Sequence, residues 1–210
     1  MPPAAEGLLL TMMNAAPGGD AEFNAWANGE HIPERKAIPG FRTALRFENP
    51  ASSPRYLAIY DLDELGVLAT PAYRAISGDN LSAWSKRVLA GATDRWRFEG
   101  SRVGAPLDCA PTGQKAPIVE LLLIRWIDVA ARCDASITAT VDAATGRLPG
   151  RIQSRVFSAE RNGRFDYLAI VESSQRLALS VADSARYTTP SHACILANVY
   201  KPIFATANLE

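Results

Sequence analysis

The segment YLAIY at residues 56–60 returns almost unchanged as YLAIV at residues 167–171, and this repeat constrains the fold more than any other feature of the chain. Two further landmarks recur in the same order upstream of it: a triple leucine at 8–10 and at 121–123, and a Pro-Gly pair at 39–40 and at 149–150. Three landmarks in one order and at nearly one separation indicate an internal duplication, with about 105 residues in each half.

The first half predicts the order strand, helix, strand, strand, helix, strand. GLLLTMMNA is an apolar strand, and Asp20 is predicted as the N-cap of a helix that carries Phe23 and Trp26 at helical spacing, at least as far as Pro33. FRTALRFE alternates as a strand does, with Arg42 and Arg46 on its more polar face, and RYLAIYDL is its hairpin partner. A second helix ends in NLSAWSKRVLAG, and DRWRFEGSRVG is the last strand.

The second half repeats this order. Its predicted elements are the strand VELLLIRWI, a helix through 129–145, the strand RIQSRVFSAE, a hairpin turn at Asn162-Gly163, the strand FDYLAIVES, a helix around 174–186 and a strand in ACILANVYKPIFA. The order β-α-β-β-α-β is the split βαβ motif of ferredoxin-like domains. We therefore predict an α+β chain of two tandem ferredoxin-like repeats: domain 1 at 1–103, a linker at 104–117 and domain 2 at 118–210.

A ferredoxin-like sheet carries helices on one face and leaves the other face bare. An apolar bare face must be covered by another layer. We expect the two sheets to pack against each other within the one chain, so that each YLAI segment is an inner strand of its sheet.

The charge balance and the cysteines narrow the function classes. Lys plus Arg equals Asp plus Glu, at 22 each, and the arginines form no basic run, which argues against nucleic-acid binding. No stretch approaches the roughly 18 apolar residues of a membrane span, and MPPAAEGLLLTMM lacks the basic start of a signal peptide. Cys109, Cys133 and Cys194 form no CxxC pair, so we predict free thiols, no disulfide, no metal site and a cytoplasmic location.

The stretch EFNAWANGEHIPERKAIPGFRTALRFE, followed by RYLAIYDL, resembles the dimeric α+β barrel superfamily and, within it, the EthD-like proteins. The matching features are an aromatic early helix, a His followed shortly by Pro, a Pro-Gly before a strand and an aliphatic strand flanked by Tyr. They correspond to Phe23 and Trp26, His31 and Pro33, Pro39-Gly40, and Tyr56 and Tyr60. Through the duplication the superfamily resemblance covers nearly the whole chain, and the EthD-like part covers about residues 8–62. It implies a pocket in each domain, between sheet and helices, for a small and mostly apolar molecule.

His31 is the residue that we expect to carry chemistry. A neutral imidazole takes and gives a proton near neutral pH, which suits ring closure, isomerisation or substrate deprotonation. The alternative is a His at a helix end that contacts carbonyl groups or solvent. Counting back from Pro149-Gly150 reaches Val141 or Asp142 in the second half. We therefore place the active pocket in domain 1 and give domain 2 a structural role.

Five further residues are predicted to bind the substrate. Tyr56 and Tyr60 share one face of their strand and would orient a carbonyl or phenol, the alternative being a place in the core. Arg42 would clamp a carboxylate, the alternative being a solvated, ion-paired face that includes Arg46. Trp26 and Trp84 would supply apolar walls, with core packing as the alternative. His192, in a Ser/Thr/Pro turn, is predicted to lie at the surface.

These observations predict a cofactor-independent enzyme that acts on a small hydrophobic, aromatic or polyketide-like metabolite. Cyclase, isomerase, lyase and monooxygenase chemistry all fit a His acid/base. Two alternatives stay open: a non-catalytic small-molecule binding protein, and an interaction module whose pockets are filled by side chains. The expected partners are the small molecule and, at most, a second copy of the chain, without nucleic acid or membrane.

Overall fold

The computed structural model describes residues 6–104 and 109–203. They form two compact units, one of residues 6–99 and 203, and one of residues 100–104 and 109–202. The division at 1–103, 104–117 and 118–210 stays a prediction. Residues 105–108 of the predicted linker, like 1–5 and 204–210 at the ends, lie outside the described residues.

The first unit alternates strands with helical segments. Its elements are β1 (Gly7–Asn14), α1 (Asp20–Trp26), a π-helical turn (Ala27–His31), α2 (Ile32–Lys36), β2 (Leu45–Glu48), β3 (Tyr56–Leu62), a 3₁₀ turn (Leu65–Ala69), α3 (Pro71–Arg74), a second 3₁₀ turn (Gly78–Asn80), α4 (Ala83–Gly91) and β4 (Thr93–Arg102), whose end belongs to the second unit.

The first YLAI segment is the inner strand β3. It pairs antiparallel with β1 on one side and with β2 on the other, so that Ile59 lies opposite both Leu10 and Leu45. β4 follows on the far side of β1, which gives the order β4-β1-β3-β2. Leu9 packs with Tyr60 and the helical segments, whereas Leu8 and Leu10, on the opposite face, are completely buried as well. Both faces of β1 are therefore covered.

The first helical segment is continuous from Asp20 to Lys36 and changes its winding in the middle. The predicted N-cap Asp20 is wrong by one position: Gly19 is the N-cap and Asp20 the first helical residue. Gly18, at φ 72°, turns the chain into the helix early, which frees the Asp20 carboxylate to accept a hydrogen bond from Tyr56 OH at 2.5 Å. The helix also continues through Pro33, which comes just after the π-helical turn, where the hydrogen-bond pattern of the helix changes.

The predicted strand FRTALRFE is regular only over β2. The N–H groups of Arg42 and Thr43 both point to Asp61 O, at 2.8 and 3.4 Å, and two successive groups sharing one acceptor break the alternation of a strand. Arg42 and Arg46 consequently do not share a face, contrary to the prediction. The Arg42 side chain is 39% exposed, whereas Arg46 is only 7% exposed.

The second unit has the same strand order as the first. Its elements are β5 (Glu120–Val129), α5 (Asp134–Thr145), β6 (Arg151–Arg161), β7 (Arg164–Ser173), two 3₁₀ turns (Leu179–Ala182 and Ser184–Tyr187) and β8 (Leu196–Pro202). The order β8-β5-β7-β6 places β7, with the second YLAI segment, between β5 and β6. The prediction that each YLAI segment is an inner strand is confirmed.

Two helix predictions in the second half need correction. The helix around 174–186 is wrong: the structure has two short 3₁₀ turns, and the Asp183 side chain accepts from Ala185 N in a local turn that competes with a helix. The helix through 129–145 begins only at Asp134, because β5 continues to Val129. The hairpin turn is confirmed, with Asn162 and Gly163 both at positive φ (53° and 74°), as a type I′ turn requires.

The last described residue belongs to the first unit. Ile203 N–H donates to Arg46 O at 2.8 Å. The Ile203 side chain packs against the cluster that contains Phe23, Trp26 and Tyr56. β2 therefore has a hydrogen-bonding partner at its outer edge.

Residues 6–104 and 109–203 contain no helix of the length and apolarity that a bilayer crossing demands. They also contain no group of three or more His, Cys, Asp or Glu side chains that could hold a metal ion, and the three cysteines are free thiols.

Candidate functional site

A cavity of about 550 Å³ opens in the first unit between the sheet and the helical segments. Leu9, Thr11 and Met13, the residues of β1 that point towards the helices, line it together with parts of β3, β4, the π-helical turn and the segment after α3. Its size lies in the usual range for sites of small organic molecules. A smaller neighbouring cavity, of about 20 Å³, shares Thr11, Met13, His31 and Tyr60 with it.

His31 ends the π-helical turn and borders both cavities. Its Nδ1 is buried and has no hydrogen-bond partner among the described residues. Its ring lies against Trp26, with centroids 4.4 Å apart. Burial, and then the positive charges of Arg35, Arg46 and Arg97, hold the pKa of His31 well below its usual value. The imidazole is therefore neutral at pH 7, and its Nδ1 is unoccupied among the described residues.

Hydrogen bonds to the carboxylate of Glu30 fix the π-helical turn. Glu30 Oε1 accepts from Ser82 Oγ at 2.5 Å and from Ser85 Oγ at 2.9 Å, and these bonds keep the pKa of Glu30 low. Ser85 Oγ also accepts from Trp26 Nε1 at 2.9 Å. Single π-helical turns are frequent at functional sites because they re-aim side chains. Here Glu30, next to His31, is bonded to Ser82 and Ser85 at the start of α4, and Ser85 is bonded to Trp26.

Tyr60 offers a second unoccupied polar group to the same cavity. Its side chain is 1% exposed, and its hydroxyl has no hydrogen-bond partner among the described residues. Burial raises the pKa of Tyr60 to about 12, so the phenol keeps its proton. The His31 and Tyr60 rings are 6.4 Å apart between centroids and nearly perpendicular. A proton acceptor and a proton donor thus line one cavity.

Arg46 is buried beside this pair with neutral partners only. Its guanidinium donates to Asn24 Oδ1 and Asn28 Oδ1, each at 2.7 Å, and lies over the rings of Phe23 and Tyr56 at 5.6 and 5.8 Å. Among the described residues it forms no salt bridge, although the charge of Glu48 lies near enough to act on it. Burial lowers the pKa of Arg46, although the group stays charged. An isolated buried charge is costly, which makes its retention notable.

Three more arginines line the large cavity. Arg35 is buried and pairs with Glu34 at 2.9 Å, and Arg97, on β4, donates to Tyr73 OH at 3.0 Å and to Glu99 at 2.5 Å. Arg95, two residues before Arg97, donates to Leu89 O at 3.4 Å. The lining contains no Asp or Glu among the described residues. The cavity therefore has a positive character.

The structure brings together some of the predicted site residues. Tyr60 lines both cavities with His31, and Trp26 and Tyr56 line the smaller one, where Tyr56 OH is engaged by Asp20 and Asn24. Trp84 packs in the cluster around Phe23 and lines neither cavity.

Arg42 and His192 depart from the predictions. Arg42 lines neither cavity and is ion-paired with Asp63 and Glu6, at 2.7 and 3.1 Å, which is the alternative considered for it. His192 is buried, at 6% exposure, and not at the surface, because Thr189 and His192 pair their backbones and fold the turn inwards against the core.

The strand register gives the equivalent positions of the second unit, which serve as an internal comparison. Ala58 pairs with Thr11 and Arg46, and Ala169 pairs in the same way with Ile124 and Val156. Likewise Met13 corresponds to Trp126, opposite Tyr56 and Tyr167, and Tyr60 corresponds to Val171. Ile124, Trp126, Val156 and Val171 all belong to one buried apolar cluster. The polar cavity of the first unit thus occupies positions that the second unit fills with apolar side chains.

The first helical segments of the two units also differ in polarity at equivalent positions. Asp20 and Asp134 are the first residues of α1 and α5, and each accepts from the Tyr of a YLAI segment, at 2.5 and 2.7 Å. Counted from these aspartates, His31 corresponds to Thr145, which is completely buried and donates to Val141 O within its own helix. The first unit therefore carries an imidazole where the second has a satisfied hydroxyl.

Sequence reasoning missed Arg35, Arg97 and Tyr73. Arg35 lies in the polar stretch PERK, which gives no sign of burial, and Arg97 lies on a strand whose alternation places arginines on an exposed face. The second unit has a cavity of about 740 Å³ of its own, lined partly by Gly104 and Cys109. None of the predicted site residues lines it.

Comparison with known proteins identifies the fold. No protein-family model matches the sequence, and no curated protein matches it significantly. Among solved structures, an anthrone oxidase-like protein aligns at TM-score 0.58 and 10% identity, over 95% of this chain and 92% of the other. A chlorite dismutase-like protein aligns at TM-score 0.59 and 9% identity, over 95% and 96%. At these identities the likeness concerns the fold alone, and this chain shares the mixed α and β fold of both proteins.

Proposed function

We propose that the first unit is a cofactor-independent enzyme that begins its reaction by moving a proton of a small aromatic or polyketide-like substrate. The observation that carries the proposal is the pair of unoccupied polar groups, His31 Nδ1 and Tyr60 OH, on one cavity. Buried polar groups are almost always hydrogen-bonded, so two such groups on one cavity call for a ligand.

The two groups have complementary roles. Neutral His31 removes a proton from a C–H or O–H group of the substrate. The electron pair of a broken C–H bond moves onto the oxygen of the neighbouring carbonyl group, and that of a broken O–H bond stays on its own oxygen. Tyr60, which keeps its proton, donates a hydrogen bond to that oxygen as its negative charge develops. The charge of Arg46 lies near enough to affect His31, and it favours the same anion.

The lowered pKa of His31 limits which substrates react. Its imidazolium form is unstable beside the arginines, so His31 removes a proton efficiently only from a group that is already acidic. Enols, phenols and C–H groups flanked by carbonyl and aromatic groups meet this condition. Cyclisation, isomerisation, elimination and reaction with dioxygen all proceed from such an anion, and the anthrone oxidase-like name of one structural neighbour supports this class.

The internal repeat supports a division of labour between the units. We infer that the chain arose by duplication of a ferredoxin-like domain of the EthD-like type, because the Tyr–Asp hydrogen bond and the strand order recur in both units. The second unit, with its filled equivalent positions, has a structural role. Arg42 and Trp84 have no part in the proposed site.

Filling the cavity tests the proposal. Thr11→Ile with Met13→Trp places the residues of the second unit at the equivalent positions of the first. A metabolite screen by thermal shift is run on the native chain and on this double variant. A ligand that binds the native state raises its apparent stability by mass action, so true ligands stabilise the native chain and not the variant.

Substrates found in this way are then tested for turnover. His31→Gln is expected to abolish turnover and to leave the fold intact, whereas His192→Gln, the matched removal of the other buried His, is expected to retain it. Full turnover by His31→Gln would refute the acid/base role. Binding without any turnover by the native chain would favour the non-catalytic alternative.

A further inference from the structure

We propose that the ligand of the first-unit cavity is an aromatic anion, a planar ring system that bears a carboxylate or an ionised phenol. This inference rests on the proposed function, because it names the ligand class of the same cavity. It goes beyond it, because the proton transfer alone would serve a neutral ligand equally well.

The cavity lining is the first argument. Arg35, Arg95 and Arg97 contribute to it, and the described lining residues include no carboxylate. Glu34 forms a salt bridge with Arg35, and Glu99 forms one with Arg97, but neither carboxylate lines the cavity. Arg95 has no carboxylate partner among the described residues. A cleft that carries one sign of charge within low-dielectric walls concentrates ligands of the opposite sign.

Arg46 is the second and independent argument. It is 7% exposed, lines the small cavity that adjoins His31, and donates hydrogen bonds to the amide oxygens of Asn24 and Asn28. The charge of Glu48 acts on it, but the two form no salt bridge. Buried charges in proteins are normally paired with an opposite charge. The second unit has Val156 at the equivalent register and needs no such pairing. A negatively charged ligand would supply the counter-charge that Arg46 lacks in the described chain.

The remaining walls select a planar ring. Tyr60, Tyr73 and Trp96 line the large cavity. Trp26 and Tyr56 line the small one. Tyr60 lines both cavities, and its hydroxyl has no hydrogen-bond partner among the described residues. Offset and edge-to-face contacts with such rings favour an aromatic ligand over a simple inorganic anion.

The experiment compares two probes that differ in charge and hardly in shape, 1-naphthoate and 1-naphthamide, with inorganic phosphate as a ring-free anion. Binding to the native chain is measured by titration calorimetry at low and at high salt. We expect 1-naphthoate to bind about tenfold or more tightly than the amide. Its affinity should fall as salt rises, because salt screens the partly exposed arginines.

Three variants locate the effect. Arg95→Gln with Arg97→Gln removes two partly exposed charges, and Arg46→Met removes the buried one at similar volume. Each is expected to weaken 1-naphthoate about tenfold and to leave 1-naphthamide unchanged. Arg87→Gln is the matched control, because Arg87 is exposed, pairs with Glu22 and lies outside the cavity. Thermal unfolding checks that each variant is folded. If Arg46→Met does not fold, the Arg95→Gln, Arg97→Gln variant still decides the test.

Each outcome decides between the claims. Equal affinity for acid and amide, or phosphate binding as tight as that of 1-naphthoate, overturns the aromatic anion. If the amide then binds the native chain but not the double variant Thr11→Ile with Met13→Trp, the cavity and the proposed function stand, and only the negative charge of the ligand is refuted. Binding of neither probe at millimolar concentration also overturns the inference. If 1-naphthoate binds the Thr11→Ile, Met13→Trp variant as tightly as the native chain, it binds outside the cavity. That result contradicts both the aromatic-anion inference and the proposed function.

Discussion

Replacing His31 by Gln should flatten the dependence of stability on pH in the acidic range. In the folded chain, burial and three arginines keep the pKa of His31 well below its ordinary value, whereas the unfolded chain restores that value. The unfolded state therefore binds a proton that the folded state refuses. Stability from this group is fully present above pH 6.5 and is lost as the pH falls below it.

The size of the effect follows from the difference in proton binding. With an unfolded pKa of about 6.5, the largest loss of stability that one such group can cause is about 0.1 kcal/mol at pH 7.5, about 0.4 kcal/mol at pH 6.5 and about 1.4 kcal/mol at pH 5.5. The limit is reached when the folded chain binds no proton at that pH. Titrating carboxylates add their own slope to every variant. The quantity to compare is therefore the native chain minus His31→Gln, which should change by up to about 1.4 kcal/mol between pH 7.5 and pH 5.5.

Urea unfolding, followed by tryptophan fluorescence at three or four pH values, measures this difference. The chain has two histidines, and burial also lowers the pKa of His192, so His192→Gln should flatten the curve in the same direction. The double variant has no imidazole and gives the carboxylate baseline. Parallel curves for the native chain and His31→Gln would mean that His31 titrates as a solvated side chain. The electrostatic account of the cavity would then be wrong.

Two further predictions concern stability. Ser85→Ala removes the acceptor of the buried Trp26 N–H and one donor to Glu30, so we expect a loss of about 1–3 kcal/mol in the free energy of unfolding, measured by urea denaturation, with the exposed Ser136→Ala as a near-neutral control. Tyr60→Phe removes a hydroxyl without a partner among the described residues and should leave stability within about 0.5 kcal/mol while lowering turnover. Tyr167→Phe, at the position of the second unit that matches Tyr56, removes a hydroxyl that is bonded to Asp134 and should cost about 1.5–3 kcal/mol; equal losses for Tyr60→Phe and Tyr167→Phe would contradict the interpretation of Tyr60 as unoccupied.

The repeat makes much of the strand arrangement accessible from the sequence. YLAI occurs in two aliphatic, β-prone stretches, and its duplication is enough to predict an inner strand in each half. The helix at 174–186 cannot be judged in this way, because its Ser and Asp residues satisfy backbone groups locally and the choice between a helix and short turns depends on tertiary packing. The same limit applies to Asp20, whose carboxylate serves Tyr56 and not the helix end.

The site is accessible from the sequence only in part. His31 and Tyr60 stand out by residue type and position, and the structure places both on one cavity. Arg46 and Arg42 have equal standing in the alternating strand, and only the irregular backbone at Arg42 and Thr43 separates a buried guanidinium from a surface ion pair. The cavity itself depends on small differences in side-chain volume, such as Met13 against Trp126, which become meaningful once the strand register is known.

Ile203 follows the second unit in the sequence but belongs to the first unit in the structure. Its N–H completes the edge of β2 at Arg46, and its side chain joins the cluster around Trp26. During synthesis a ribosome releases residue 203 only after the whole second unit has been made, so the pocket wall at Arg46 is finished last although its strand is among the first to emerge. Nascent chains that still lack the second unit would thus carry an incompletely assembled wall at Arg46.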